Sequence, residues 1–208
     1  MGLCIGINDG DNIFIGTNSH LFLDVETAIN KNNTKIWHII NNNHAIMACQ
    51  GPIRVSNVIR IIPNLITKYD EQNGGIGYSY ILHNVAFRIK NVLKERCYYE
   101  DDSNLAFEGI GASFLLGYKN QLYEISSDLA VIQYDDYCCI GSGSSEAIGS
   151  LESTMGEEPV ERIRKALIAA SRTDNTIYYP YIIMNTKNKE VIIIDSENSS
   201  GRIIEYDS

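Results

Sequence analysis

The chain is predicted to fold as an α+β protein on a four-layer αββα plan, with two stacked, mainly antiparallel sheets flanked by helix pairs. Three observations lead there. Strand-like and helix-like periodicities come in segregated runs rather than in alternation, which suits stacked sheets better than βαβ units. The chain opens with two β-rich runs around Asn8-Asp-Gly-Asp11, a strong hairpin signal. And 208 residues with no low-complexity linker, internal repeat or composition shift point to a single domain over residues 1–208.

In order, Leu3 to Ile7 and Asn12 to Thr17 form the opening hairpin, and Lys35 to Ile40 with His44 to Cys49 a second strand pair split by Asn41-Asn-Asn43. The period then becomes helical: Val55, Val58, Ile59, Ile62, Leu65, Ile66 and Tyr69 share one face, with Pro63 expected to kink or interrupt the helix. A second helix is marked by Ile81, Leu82, Val85, Ile89, Val92 and Leu93. Strands return from Leu105 through Leu116, from Gln121 through Gln133 and at Asp135 to Ile140. Ala147, Ile148 and Leu151 predict a short helix that Gly156 ends, with Ser142 and Ser144 suited to cap it. Pro159 sits in the first turn of another helix carrying Val160, Ile163, Leu167 and Ala170. Tyr178 to Met184, Val191 to Ile194 and Arg202 to Tyr206 are β again.

Composition narrows the function. A formal net charge of -9 and a pI near 4.9 argue against a nucleic-acid or anionic-membrane partner, because phosphate binding needs clustered cations and the basic residues here are scattered. No apolar run reaches the roughly 18–20 residues of a membrane-spanning helix, and the first residues lack the pattern of a signal peptide, so a cytoplasmic location is expected. The five cysteines (Cys4, Cys49, Cys97, Cys138, Cys139) sit in apolar runs and read as reduced core thiols. Cys138 and Cys139 should face opposite sides of a strand. His20, His38, His44 and His83 have no metal-ligand spacing. Neither a metal nor another cofactor is expected.

The densest signal is Tyr137-Cys-Cys-Ile-Gly-Ser-Gly-Ser-Ser-Glu-Ala-Ile-Gly-Ser-Leu151, an apolar strand that breaks into Gly141-Ser142-Gly143-Ser144 and then takes up helical spacing. Two further blocks accompany it, Gly6-Ile-Asn-Asp-Gly-Asp-Asn-Ile-Phe-Ile-Gly-Thr-Asn-Ser-His20 and Phe114-Leu-Leu-Gly-Tyr-Lys-Asn-Gln-Leu-Tyr-Glu-Ile125, with Ala166-Leu-Ile-Ala-Ala-Ser-Arg-Thr-Asp174 downstream. Together these blocks resemble, in order and over nearly the whole chain, proteasome β-type subunits and the bacterial proteasome-like subunits of HslV and Anbu type. The resemblance implies the αββα fold of the N-terminal-nucleophile hydrolases and self-association in rings or open arrays. It also implies peptide-bond hydrolysis by an N-terminal threonine whose own amine is the base. A hydroxyl needs such a base because it is a weak nucleophile alone. A nearby lysine holds the amine's pKa down, and an aspartate positions the lysine.

Carried over residue by residue, the resemblance puts Gly2 at the nucleophile position, where there is no side-chain oxygen. Asn18 stands where the family has its aspartate, and His20 replaces a nearby basic residue. Lys35 takes the lysine position with a one-residue slip. Ser142 and Asp174 match the serine and aspartate that orient the terminal amine, while Ile177 replaces a further serine. Cys49, Gln50 and Gly51 would pair with a peptide substrate. Read without the resemblance, Lys35 is a solvated strand-edge lysine, Ser142 a helix cap and Asp174 a turn residue.

Three functions follow: a non-catalytic, self-assembling subunit that binds peptide segments or serves as a scaffold; an amide hydrolase using Cys4 after removal of Met1 to Leu3; or a peptidase in which Gly2 replaces a native threonine through engineering. For the second, the nucleophile moves about 6–7 Å along the strand and away from Lys35.

Overall fold

A computed structural model describes residues 2–23, 26–29, 35–42, 44–67, 76–96 and 109–205, giving the backbone alone for 20–23 and 26–29. The opening hairpin is β1 (Leu3–Asn8) and β2 (Ile13–Asn18). Asp9 makes its turn: its carboxylate accepts the N–H groups of Asp11 at 2.9 Å and Asn12 at 2.6 Å, and Gly10 supplies the positive φ. A small hairpin of β3 (His20–Leu23) and β4 (Glu26–Ile29), which periodicity did not single out, precedes β5 (Ile36–His38) and β6 (Ala45–Gln50). Then come α1 (Ile53–Arg60) and α2 (78–96), whose stretch Ile81–Val85 is wound as a π-helix. The second half runs β7 (Ser113–Tyr118), β8 (Gln121–Ile125), β9 (Val131–Tyr134), β10 (Tyr137–Gly141), α3 (Ser144–Ser153), α4 (Pro159–Ser171), β11 (Tyr181–Asn185), β12 (Glu190–Ile194) and β13 (Arg202–Glu205).

The strands form a six-stranded sheet in the order β10-β1-β2-β11-β12-β13 and a five-stranded sheet β5-β6-β7-β8-β9, every pair in both antiparallel. Three apolar layers hold them. Ile13, Ile15, Ile46, Leu115, Leu122 and Ile182 fill the space between the sheets. Val55, Ile59, Val85 and Ile89 press α1 and α2 onto Trp37, Met47 and Phe114 of the five-stranded sheet. Ile163, Ala166, Leu167 and Leu151 press α3 and α4 onto Ile5, Ile7 and Ile183 of the other. This is the predicted αββα sandwich.

The strand β1 is central and buried on both faces, Leu3, Ile5 and Ile7 toward the helices and Cys4 toward the second sheet, which is why LCIGI reads as an unbroken small-and-apolar run. Alternation also separates Cys138, in the inter-sheet layer, from Cys139, against the helices, and the four described cysteines are free thiols. Cys97, Tyr69, Leu105 and Tyr206 lie outside the described residues.

Several boundaries differ from expectation. α1 stops at Arg60 because Pro63 bars the preceding backbone from the helical region, yet Leu65 and Ile66 remain buried beyond the break. The run from Gln121 is two strands, cut by a turn in which Asp128 accepts from Ser126 Oγ and from Ala130 N–H while Leu129 adopts φ +68. Residues 109–112 are not strand. Nor does a serine cap α3: its N-cap is Gly143 at φ +75, and Ser144 Oγ instead donates to Gly141 O at 2.6 Å.

Gly16 marks the closest approach of α4 to the sheet, since a methyl carbon built there would stand 2.3 Å from Ile163 Cγ2. Gly16→Ala is expected to lower stability by ~1–3 kcal/mol through overpacking, read as a shift in denaturation midpoint, and its cost should be smaller when measured in an Ile163→Ala background.

Candidate active site

Apart from Cys4 in β1 and His20 at the start of β3, the sequence-predicted residues come from six segments: the residue before β1, the end of β2, the residue before β5, the end of β6, the β10–α3 turn and the α4–β11 turn. Antiparallel pairing delivers the first two together. Cys4 pairs with Thr17, so the next rung brings Leu3 beside Asn18, whose Oδ1 accepts the Leu3 N–H at 3.0 Å. Gly2 is buried, and Ser142 N–H donates to its carbonyl at 3.1 Å. Gly141, at φ +110, must be glycine for a second reason: a methyl carbon there would lie 2.1 Å from Gly2 O.

Lys35 extends the β5–β6 ladder by one bond, its carbonyl accepting Cys49 N–H at 2.8 Å, and its side chain runs to Gly2. A methyl carbon built on Gly2 would stand 2.1 Å from Lys35 Nζ and 2.8 Å from Asn18 Oδ1. The lysine head thus fills the space that a side chain at position 2 would take. Lys35 is 7% exposed. Burial pushes its amine below the ordinary lysine range, and the adjoining Cys4 and Cys49 thiols pull it only partway back.

Asn18 is fully buried and its amide is fixed at both ends: Oδ1 takes the Leu3 N–H, and Nδ2 donates to Thr176 O at 3.1 Å. It ties β1 and β2 to the α4–β11 turn. In that turn Thr176 N–H donates to Asp174 Oδ1 at 2.8 Å, and Ile177 N–H to Asp174 O at 3.1 Å. Partial burial works to raise the Asp174 carboxyl, but the bonds from Thr176 and the nearby Ser142 hydroxyl hold it below its usual value. Ser142 Oγ lies close enough to influence Asp174 yet makes no full hydrogen bond, and Thr176 Oγ1 and Gln50 Oε1 are likewise buried with no partner among the described residues. Gln50 closes the cleft, its Cδ 3.2 Å from the point where a Gly141 methyl would stand. Gly51, exposed, packs against Ala112.

Cys4 is fully buried, with its thiol 3.6 Å from Thr17 Oγ1 and 3.8 Å from Cys49 O, and burial pushes it above the ordinary thiol range. Cys49 is raised for the same reason. His20 begins β3, and its side chain lies outside the described residues. Sequence reading missed Thr176 as a polar wall group. Thr176 is two residues after Asp174, the Asx-turn spacing that signals its N–H bond. Among the described residues no three His, Cys, Asp or Glu side chains are grouped to hold a metal, and no helix is long and apolar enough to cross a membrane.

The residue before a central strand, a buried lysine against it and a Gly-Ser-Gly turn behind it thus meet in one place. Residues 2–178 match the model of the proteasome subunit, and the chain belongs to that family. No curated protein sequence matches it. Among solved structures, Thiobacillus denitrificans BPH in complex with epoxomicin is 14% identical with a TM-score of 0.68, the alignment covering 88% of this chain and 97% of that one. HslV from Trypanosoma brucei is 17% identical with a TM-score of 0.59, over 88% and 98% of the two chains. The Gly-1 mutant of Anbu from Hyphomicrobium sp. strain MC1 is 9% identical with a TM-score of 0.65, over 96% and 89%. At these identities the likeness is one of fold.

The two-ended clamp of Asn18 sets an expectation. In Asn18→Leu the Leu3 N–H and the Thr176 carbonyl both lose their buried partner, so stability should fall by about 1–3 kcal/mol. The shift in chemical denaturation midpoint measures the loss.

Proposed function

We propose that this chain is a self-assembling proteasome-type subunit whose site keeps the frame of a peptidase without its nucleophile, binding extended peptide rather than cleaving it. The observation that carries the reading is the glycine itself: beside Lys35 Nζ, the residue before β1 has no side-chain oxygen or sulfur to attack with. The other candidate nucleophile, Cys4, is sealed in the inter-sheet layer with its thiolate disfavoured. Around the gap the supporting parts remain, namely Lys35, Asp174, Ser142 and the Gln50–Gly51 edge.

Self-assembly is supported by the fold likeness to a protein solved as a helical assembly, the Anbu complex from Pseudomonas aeruginosa, at 13% identity and a TM-score of 0.60. It is also supported by the large apolar side chains left exposed on the helical layers, Ile148 and Met155 about α3, Ile61 at the end of α1 and Phe87 on α2.

Epoxomicin, found on BPH, tests the catalytic half of the reading. The purified protein is expected to show no mass increment after incubation with it and no release of amine from fluorogenic peptides. An adduct mapped to the first residues or to Cys4 would overturn the reading. Sedimentation of the same sample should show a species larger than the 23.3 kDa chain, and a monomer throughout would remove the assembly half.

A further inference from the structure

We draw no further inference here: the strongest candidate, the open cleft of about 550 Å³ between the N-terminus of α3 and the α4–β11 turn, lined by Gly143, Glu146, Arg172 and Asp174, shares Asp174 and the Gly-Ser-Gly turn with the site already described and otherwise rests on a helix N-terminus with no second feature that points to a ligand.

Discussion

The burial of one amine between two sheets is the constraint from which the rest of this site follows. Lys35 leads into β5 of the five-stranded sheet, whereas Gly2 leads into β1 of the six-stranded sheet, so their contact exists only because the sheets are stacked face to face. β1 is central and apolar on both sides, which leaves its register no freedom: a slip of one residue would turn Leu3, Ile5 and Ile7 away from α3 and α4. The register that satisfies the core is the one that sets the residue before β1 against the lysine. Fold and site are therefore one packing problem, and the inter-sheet layer is where it is solved.

Around that contact a neutral amide provides the main hydrogen bonding. Asn18 donates and accepts at once, holding Leu3 and Thr176, which a carboxylate at that position does not do. Asp174 supplies the negative charge of the described site and spends much of it on Thr176. The result is a rigid polar frame around an amine for which solvation is poor.

Much of this was legible in the sequence. Strict alternation and continuous apolar runs place most of the strands, helical periodicity places all four described helices, and the Gly-Ser-Gly-Ser block marks the turn that receives Gly2. What was not legible depends on hydrogen bonds between particular atoms. The break between β8 and β9 is made by Asp128 and the positive φ of Leu129, in a stretch whose apolar residues read straight through. The cap of α3 falls to Gly143 because its left-handed turn, not a serine hydroxyl, sets the helix start. The β3–β4 hairpin is short enough to escape a periodicity window. For the site, composition alone read Lys35 as a solvated edge residue; its burial is a product of sheet stacking, and no local pattern encodes stacking. The orphaned Gln50 amide and Thr176 hydroxyl likewise acquire meaning only when Gly141 and Asp174 are beside them.

The central claim is that Lys35 is an amine held out of water against a residue with no side chain, and direct titration of its side chain by NMR tests it most closely. Because burial depresses its pKa from 10.5, the folded protein should release that proton before the unfolded chain does. Stability owed to Lys35 should then rise with pH across the window between the depressed value and 10.5. The account predicts a midpoint for Lys35 below 10.5. A midpoint at or above 10.5 would show that burial does not govern the amine, and would contradict the account.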